Sequence, residues 1–185
     1  LSPHLPNMVG EAYTLRYMPA REDLNGIDVF KNREHPQRKA VEECPPGAVL
    51  VIDCRGDARA ASAGGILVTR LMKRGVAGVV TDGGFRDSPE IAKLTMPTYH
   101  ARPSAPTNLT LHQAIDINVP IGCGDAPVFP GDVIVGDVGA PERPAPPQRA
   151  VAHDRSAGEP AGAGEVDQRP PGCEQELPAA SPPGG

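Results

Sequence analysis

Aromatic residues are scarce in this chain, which has three Tyr, three Phe and no Trp among its 185 residues. A hydrophobic core must therefore consist mainly of Val, Ile, Leu and Ala. No segment approaches the run of about 18 apolar residues that a transmembrane helix requires, so no membrane partner is predicted. The first residues lack a basic segment followed by an apolar one, so no signal peptide is predicted. We expect a cytoplasmic protein.

Clustered Lys and Arg are lacking as well. The formal net charge is -5, and an acidic chain without a basic patch is not expected to bind nucleic acid. The cysteines Cys44, Cys54, Cys123 and Cys173 are widely spaced and include no CxxC pair. Zinc-ribbon and thiol-redox motifs are therefore excluded, and reduced thiols are predicted.

The composition changes near residue 139. The 47 residues of 139–185 include ten Pro and seven Gly, and their only large aliphatic residues are Val151, Val166 and Leu177. Such a segment cannot bury enough apolar surface to offset the entropy lost on ordering. We therefore predict a folded domain over residues 1–138 and a disordered tail over 139–185.

Strand and helix patterns alternate within the domain. The apolar run AVLVIDC, residues 48–54, is typical of a strand buried on both faces. Helical spacing follows in the later part of 58–75, with Gly75 as its stop. This alternation predicts an α/β layered domain with parallel strand pairs. Further predicted elements are strands at 76–82, 96–101, 114–121 and 132–138 and a helix at 88–94.

Two segments of unusual composition follow predicted strands, where ligands bind in open α/β sheets. The first contains Gly64 and Gly65, followed by Ile66 and Leu67 at the start of a helix. Glycines permit close approach of a ligand, and the free N–H groups of a first helical turn attract anions. The segment therefore suits a carboxylate or phosphate; the alternative is a glycine pair that only packs a helix on a strand. It is neither a P-loop nor a dinucleotide fingerprint.

The second segment is DGGFRDSPE, residues 82–90. Arg86 can bind a carboxylate through its planar guanidinium, and Asp87 offers oxygen ligands suited to Mg²⁺ or Mn²⁺. Glu90 lies three residues further, on the same side of a helical turn. A metal-chelated 2-oxo acid would satisfy these opposite charges. The alternative is a surface ion pair with a capping acid, and Asp82 is expected to cap the glycine turn.

The spacing between the two segments is more specific than either segment alone. Gly65, twenty intervening residues, Arg86-Asp87, two residues and Glu90 match a family signature in full. The chain resembles the RraA-like family, which includes the class II 4-hydroxy-4-methyl-2-oxoglutarate/4-carboxy-4-hydroxy-2-oxoadipate aldolases with oxaloacetate decarboxylase side activity. Other matching segments are PPGAVLVIDCRGD, AGGIL, KRGVAGVVTDGGFRD and FPGDVIVGD.

The resemblance implies a three-layer α/β/α domain that assembles as a homotrimer or homohexamer. It implies that Asp87 binds the divalent metal, Mg²⁺ or Mn²⁺, and that Arg86 and Glu90 are catalytic. Backbone groups of Gly64, Gly65, Ile66 and Leu67, with Arg86, would hold a small 2-oxo diacid. Retro-aldol cleavage or decarboxylation would then release pyruvate.

The chain departs from the family pattern at both ends. The N-terminal helix that precedes the Val9 region in the family is missing, so the domain 1–138 is expected to be N-terminally incomplete. After GDVIVGD the sequence turns to VGAPERPAPPQRAV instead of a further strand and helix. Two alternatives to the enzyme therefore stay open: a non-catalytic regulator that binds a ribonuclease, and an inactive truncated relative. Glu90 favours the enzyme, because the ribonuclease E regulator belongs to the members that lack this acid.

Overall fold

The computed structural model describes residues 5–21 and 23–137, together with the backbone of residues 151–153. The chain divides into two units, Leu1–Arg155 and Ser156–Gly185, and every described residue belongs to the first unit. No helix in the described part of the chain has the length and apolar character needed to span a membrane.

Strands dominate the described residues. They are β1 (Met8–Pro19), β2 (Val49–Asp53), β3 (Ala61–Ala63), β4 (Gly78–Thr81), β5 (Gly84–Phe85), β6 (Thr98–Tyr99), β7 (Arg102–Pro103), β8 (His112–Ile117), β9 (Ile121–Cys123), β10 (Ala126–Val128), β11 (Val133–Gly136) and β12 (Val151–His153).

Three α-helices and two 3-10 helices connect them. The α-helices are α1 (Pro36–Glu43), α2 (Gly65–Lys73) and α3 (Ser88–Ile91), and the 3-10 helices are Ile27–Lys31 and Asn108–Thr110. Proline lies in the first turn of α1 and α3, where its missing N–H costs no hydrogen bond. Gly75, with φ +80°, follows the end of α2 as predicted.

The main sheet is mixed. Its strand order is β12-β11-β1-β2-β4-β6, and β8 pairs with β1 as well. Strands β1, β2, β4 and β6 run parallel, whereas β8 and β11 pair antiparallel with the two halves of β1. The α/β prediction is therefore confirmed, with antiparallel strands at one side of a parallel centre.

The two faces of the main sheet are covered differently. One face packs Leu15, Leu50 and Val79 against helices α1 and α2, which contribute Val41 and Leu71. This apolar cluster is the larger of two. Each helix presents a single apolar stripe to the sheet and leaves its charged residues in solvent.

On the opposite face, Val51 and Val80 pack beneath Ile121 and Val128 of the β9–β10 hairpin. Within the described residues this layer consists of strands, and the helices lie on the other face. All five residues of β2 are buried, as its apolar run predicts.

Strand β12 lies within the segment predicted to be a disordered tail, 139–185. Its residues pair antiparallel with β11, Val151 with Val135 and His153 with Val133. The expectation of a structureless tail therefore differs from the structure at these three residues. A sheet edge offers unpaired backbone groups, and the tail has a proline-free stretch between Pro147 and Pro160 that can pair with them. The rest of the tail lies outside the described residues.

Three cysteines fall within the described residues, and all are free thiols: Cys44, Cys54 and Cys123. Burial raises the pKa of Cys44 and Cys123 to about 12. These thiols are therefore protonated at neutral pH and poorly reactive.

Candidate functional site

A small parallel sheet brings the two predicted segments together. Strand β5 pairs with β3 on one side and with β7 on the other. Ala63 is in register with Phe85, and the N–H of Arg86 donates to the carbonyl of Ala63 at 3.1 Å. Because the strands are parallel, the residues that follow them leave the sheet side by side. The Gly64-Gly65 turn therefore lies next to Arg86-Asp87.

The contact between the two segments is a hydrogen bond at the start of α2. The N–H of Gly65 donates to Asp87 Oδ2 at 3.0 Å. The first intrahelical bond runs from Val68 N to Gly64 O, so the N–H groups of Ile66 and Leu67 have no partner within the helix. A helix of this kind offers two further donors to an anion at its N-terminus.

Gly64 is in close contact with the functional side chains. A Cβ at this position would lie 2.5 Å from Arg86 Nε and 2.9 Å from Asp87 Oδ2. A Cβ at Gly65 would lie 3.4 Å from Asp87 Cβ, which is ordinary contact. Of the two, Gly64 is therefore the residue at which any side chain would displace Arg86 and Asp87.

Asp87 has an open carboxylate oxygen. Both of its contacts use Oδ2, namely the Gly65 N–H and Arg86 Nε at 3.7 Å. Oδ1 accepts no hydrogen bond from the described residues, and the side chain is 46% exposed. The backbone of Asp87 is left-handed, with φ 57°, a conformation in which Asp is enriched. It is the N-cap of α3.

The donor set bears on which metal would fit. In the part of the chain that the structure describes, no group of three or more His, Cys, Asp and Glu side chains could jointly hold a metal ion. A single open carboxylate suits Mg²⁺ or Mn²⁺, which usually keep several waters and take one or two carboxylates. Asp87 therefore fits such an ion, as the resemblance implies, and does not fit a zinc site with several protein ligands.

Arg86 and Glu90 lie on different sides of this contact. The Arg86 side chain is 43% exposed and borders a cleft of about 460 Å³ together with Gly64, Ile66 and Leu67. Glu90 is exposed and borders a second, more open depression with Asp87, Gly65 and Ile66. Its side chain makes no hydrogen bond or ion pair with the described residues. The predicted site residues therefore surround the N-terminus of α2 from two sides.

Asp82 lies before β5 rather than after it and has a different environment. Its carboxylate accepts hydrogen bonds from the N–H groups of Cys54 at 2.6 Å, Gly56 at 2.7 Å and Gly124 at 3.4 Å. Burial raises its pKa. Asp82 thus fixes the loop after β2 and the turn between β9 and β10. The glycine turn that it was expected to cap is held instead by Thr81, whose hydroxyl accepts from Gly83 N at 3.0 Å.

The structure adds residues that the sequence did not indicate. The cleft beside Arg86 is also bordered by Ile27 and Phe30 of the first 3-10 helix, Arg38 of α1 and Asn108 of the second. They lie far from the two motifs in the chain, and α1 looks like an ordinary polar helix. No sequence signal links them to the site, because only the fold brings them there.

Comparison with known sequences now identifies the family. The profile of the family described as "RraA-like: Aldolase/RraA" matches residues 1–139. The chain belongs to the RraA-like family. The resemblance drawn from the Gly65–Glu90 spacing is thereby confirmed.

Two RraA-like relatives carry an aldolase name. A 4-hydroxy-4-methyl-2-oxoglutarate aldolase of Thermus thermophilus is 32% identical over 100 residues, which cover 54% of this chain and 60% of that protein. A protein of Halalkalibacterium halodurans, to which the same name is provisionally given, is 40% identical over 99 residues, covering 54% of this chain and 47% of that protein. The chain thus spans about half to three fifths of the curated relatives it matches.

Solved RraA-like structures share the fold. Streptomyces coelicolor RraAS2, titled an unusual member of the RNase ES inhibitor RraA protein family, is 30% identical with a TM-score of 0.59 and covers 70% of this chain and 61% of its own. The RNA-processing inhibitor RraA from Thermus thermophilis is 27% identical with a TM-score of 0.53 and covers 71% of both chains. The family neighbours therefore carry both enzyme and inhibitor names.

Proposed function

We propose that this protein is a divalent-metal-dependent lyase that releases pyruvate from small 2-oxo diacids by retro-aldol cleavage or decarboxylation. The observation that carries the proposal is the contact of Asp87 with Gly65 and Arg86 at the N-terminus of α2. An anion site, a cation and an open carboxylate meet at this point. Relatives with an aldolase name share about half of the chain.

Substrate binding begins at the helix N-terminus. The N–H groups of Ile66 and Leu67 are free of intrahelical partners and suit the carboxylate of the 2-oxo acid. Arg86 adds a positive charge beside them, and its terminal nitrogens have no partner among the described residues. Gly64 permits this arrangement because it has no side chain to push Arg86 away.

Asp87 is the residue we propose as the protein ligand of the metal, through its open oxygen Oδ1. When bound, Mg²⁺ or Mn²⁺ would supply a Lewis acid for the 2-oxo group. The hydrogen bond from Gly65 fixes the orientation of the carboxylate before any ion binds. Because the metal would polarise the 2-oxo group, this scheme needs no lysine to activate the substrate.

The reaction breaks the bond between C3 and C4 of the substrate. Its electron pair passes to the pyruvyl part, where negative charge builds on the former keto oxygen, and Arg86 stabilises that charge. The proton of the C4 hydroxyl must leave as the new carbonyl forms. Glu90 is the exposed carboxylate of the depression that also contains Asp87, on the other side of Gly65 and Ile66 from the cleft of Arg86, and we assign the acceptance of this proton to it. In decarboxylation, carbon dioxide leaves instead and no hydroxyl proton is lost. In both reactions C3 of the pyruvate enolate must then take up a proton, which Glu90 can return after retro-aldol cleavage and which solvent supplies after decarboxylation.

An assembly of several copies is the second part of the proposal. Ile66 and Ile27 border the cleft and are 80% and 76% exposed, which is unusual for large aliphatic residues beside a site. A homotrimer or homohexamer that buries this rim would explain it. Light scattering of the purified chain tests the assembly.

We also propose a cytoplasmic location, because the three described cysteines are free thiols.

The decisive experiment is a pyruvate assay on the full chain. Purified protein with Mg²⁺ or Mn²⁺ should release pyruvate from a 4-hydroxy-2-oxo diacid or from oxaloacetate, above the rate of the metal alone. EDTA should abolish the release, and added Mg²⁺ should restore it. If no such substrate yields pyruvate at any metal concentration, the lyase proposal is wrong.

A protein-binding regulator is the second candidate. The inhibitor names of the solved neighbours support it, and so does the exposed apolar rim formed by Ile27 and Ile66. In that case the chain should bind a ribonuclease in a pull-down and show no metal-dependent turnover. Substituting Ile66 by Asp would then abolish the interaction.

A further inference from the structure

The cleft next to Arg86 extends from the N-terminus of α2 to helix α1. Its volume is about 460 Å³, which is much more than the pyruvyl part of a substrate would fill. Its walls come from α2, β3, α1 and both 3-10 helices. The proposed function uses only the end that contains Gly64 and Arg86, so the remainder needs an explanation.

A second guanidinium lies in this remainder. Arg38 of α1 borders the cleft and forms no salt bridge with any described residue. Glu42, one turn further along α1, is held at 3.1 and 2.8 Å by Arg70. It also lies 3.5 Å from Arg74. Glu42 is thus paired with Arg70 and Arg74, and Arg38, although close enough to contribute to lowering the pKa of Glu42, has no ion-pair partner of its own among the described residues.

Arg38 is nevertheless held in place. Its Nη1 donates to the carbonyl of Phe30 at 2.8 Å, which leaves its other N–H groups without a partner among the described residues. Its neighbour Gln37 donates to the carbonyl of Ser62 at 2.7 Å. An oriented guanidinium loses less entropy when it binds a carboxylate than a mobile one does.

A further donor borders the same cleft. Asn108 is only 4% exposed, and its Nδ2 has no hydrogen-bond partner among the described residues. A buried amide without a partner is costly, and such groups are usually paired in native structures. An acceptor oxygen on a ligand in the cleft would remove this cost.

Apolar side chains line the same cleft as the two arginines. Ile66 and Leu67 line it from α2, and Ile27 and Phe30 from the 3-10 helix. A cleft that combines two guanidinium groups with apolar side chains suits a short carbon chain with a carboxylate at each end. It does not suit a nucleotide or a sugar, whose polar groups would meet Ile66 and Phe30.

We propose that Arg38 binds the distal carboxylate of the substrate and selects 2-oxo diacids over 2-oxo monoacids. This inference rests on the proposed function, because it takes Arg86 and the N-terminus of α2 to hold the pyruvyl end. Asn108, which borders the same cleft, can add a hydrogen bond to this ligand, and Ile66 covers the carbon chain. Arg38 is thus a specificity residue, separate from Asp87 and Glu90.

The test compares the binding of two probes to the full chain. Pyruvate represents the monoacid, and 2-oxoglutarate represents the diacid but lacks the 4-hydroxyl that retro-aldol cleavage needs. Their affinities are measured in Mg²⁺ by ligand-observed NMR titration for the parent, Arg38→Gln and Arg38→Lys. Arg33→Gln is the matched control, since Arg33 is exposed and does not border the cleft. Thermal unfolding of each variant checks that the fold is kept.

We expect Arg38→Gln to weaken 2-oxoglutarate binding by about tenfold, as the loss of a charge-assisted hydrogen bond does, and to leave pyruvate binding unchanged. Arg38→Lys should lie between, since it keeps the charge but loses the fork. Arg33→Gln should match the parent. A general loosening of the 3-10 helix would weaken both probes equally, and that result overturns the proposal. The proposal is also wrong if Arg38→Gln binds 2-oxoglutarate as tightly as the parent does, or if the parent binds 2-oxoglutarate no better than pyruvate.

The same measurements separate this inference from the proposed reaction. If 2-oxoglutarate binds in an Arg38-dependent manner but no 4-hydroxy-2-oxo diacid yields pyruvate, the reaction is wrong and the diacid site stands. If pyruvate is released and Arg38→Gln cleaves the diacid as efficiently as the parent, the reaction stands and the diacid site is wrong.

Discussion

Asp82 and Asp87 lie five residues apart, the first after β4 and the second after β5, yet their carboxylates have opposite environments. Asp82 is surrounded by three backbone N–H donors. Asp87 accepts one such bond and leaves an oxygen open to solvent. One carboxylate is saturated by the fold, and the other keeps its binding capacity.

A carboxylate with a structural role can thus be distinguished from a candidate metal ligand by the number of backbone N–H groups that donate to it. Each N–H donor that the fold directs at a carboxylate takes up a lone pair that a metal would otherwise use. The lone pairs of Asp82 are mostly occupied by hydrogen bonds from the loops after β2 and β9. Asp87 accepts one hydrogen bond. Substitution of Asp82 should therefore lower mainly stability, and substitution of Asp87 mainly activity.

The largest expected effect is that of Asp87→Ala. It removes the proposed metal ligand, so turnover should fall by about 4 kcal/mol of transition-state stabilisation, or roughly a thousandfold. The thermal midpoint should fall only slightly, because one exposed hydrogen bond is lost and Ala is less favourable than Asp at the left-handed φ of 57°. Turnover is measured as pyruvate release, and metal binding is measured as the paramagnetic relaxation caused by bound Mn²⁺. A variant that still binds Mn²⁺ like the parent would show that Asp87 is not the ligand.

Arg86→Ala should affect the same region less. Losing one group that stabilises the developing charge costs about 3 kcal/mol, or a hundredfold or more in turnover. Mn²⁺ affinity should be largely retained, which distinguishes this variant from Asp87→Ala. Parent-like turnover would mean that Arg86 has no part in the reaction.

Asp82→Ala should show the reverse pattern. It leaves the N–H of the buried Cys54 and that of the exposed Gly56 without their acceptor, at a cost of about 2 kcal/mol of unfolding free energy. Urea unfolding followed by circular dichroism measures the loss. Asp82→Asn, which keeps one acceptor oxygen, should lose less. Where the Ala variant remains folded, its Mn²⁺ affinity should match that of the parent. If this variant instead keeps its stability and loses Mn²⁺ affinity, Asp82 is not the purely structural acid described above.

The two glycines next to Asp87 provide a matched pair. Gly64→Ala introduces a Cβ 2.5 Å from Arg86 Nε, and displacing a functional group by about 1 Å can cost up to a hundredfold in turnover. Gly65→Ala introduces a Cβ at ordinary contact distance. It should leave turnover near that of the parent and raise stability by about 0.5 kcal/mol. Equal effects on turnover would contradict the tight contact seen at Gly64.

The smallest effect concerns pH and His112. This residue is fully buried, its ring packs edge-on against Tyr17 at 5.3 Å, and both ring nitrogens lack a partner among the described residues. Burial lowers its pKa from 6.5, Arg55 acts in the same direction and Asp57 opposes them. Because the unfolded chain binds the proton more readily, stability is complete above pH 6.5 and falls as the pH drops toward the lowered folded pKa.

His112→Phe should therefore reduce this acid sensitivity. The difference in unfolding free energy between about pH 7.5 and about pH 5.5 should shrink by about 1 kcal/mol. Part of the sensitivity should persist, since burial also lowers the pKa of His35 and His100. An unchanged pH dependence would mean that His112 is protonated without cost in the folded state.

Much of the fold could be predicted from the sequence, because local patterns and burial agree there. The run around β2 and the glycine after α2 gave the right elements at nearly the right bounds. Strand β8 was expected at 114–121 and runs from His112 to Ile117. Its pairing with β1 shifts register between Arg16 and Tyr17, which no local pattern encodes.

The candidate site divides in the same way. Gly64, Gly65, Arg86 and Asp87 could be predicted because their spacing matches a family signature. The position of Arg38 at the cleft beside Arg86 could not be predicted, since Arg38 comes from a polar helix far along the chain, and its approach to the cleft depends on how α1 packs beside α2. The left-handed turn at Asp87 was also missed, because Ser followed by Pro is itself a common helix start.

The central strand of the main sheet has a consequence for synthesis on the ribosome. Strand β1 is made before all the others, but Met8 pairs with Gly136 and Leu15 with Ile117. At a synthesis rate of roughly 5–20 residues per second, strands β8 and β11, which pair with one edge of β1, emerge on the order of ten seconds after β1 itself. During that interval an apolar strand has an open edge. Translation speed and chaperone supply should therefore decide how much of the newly made protein reaches its native state rather than aggregating.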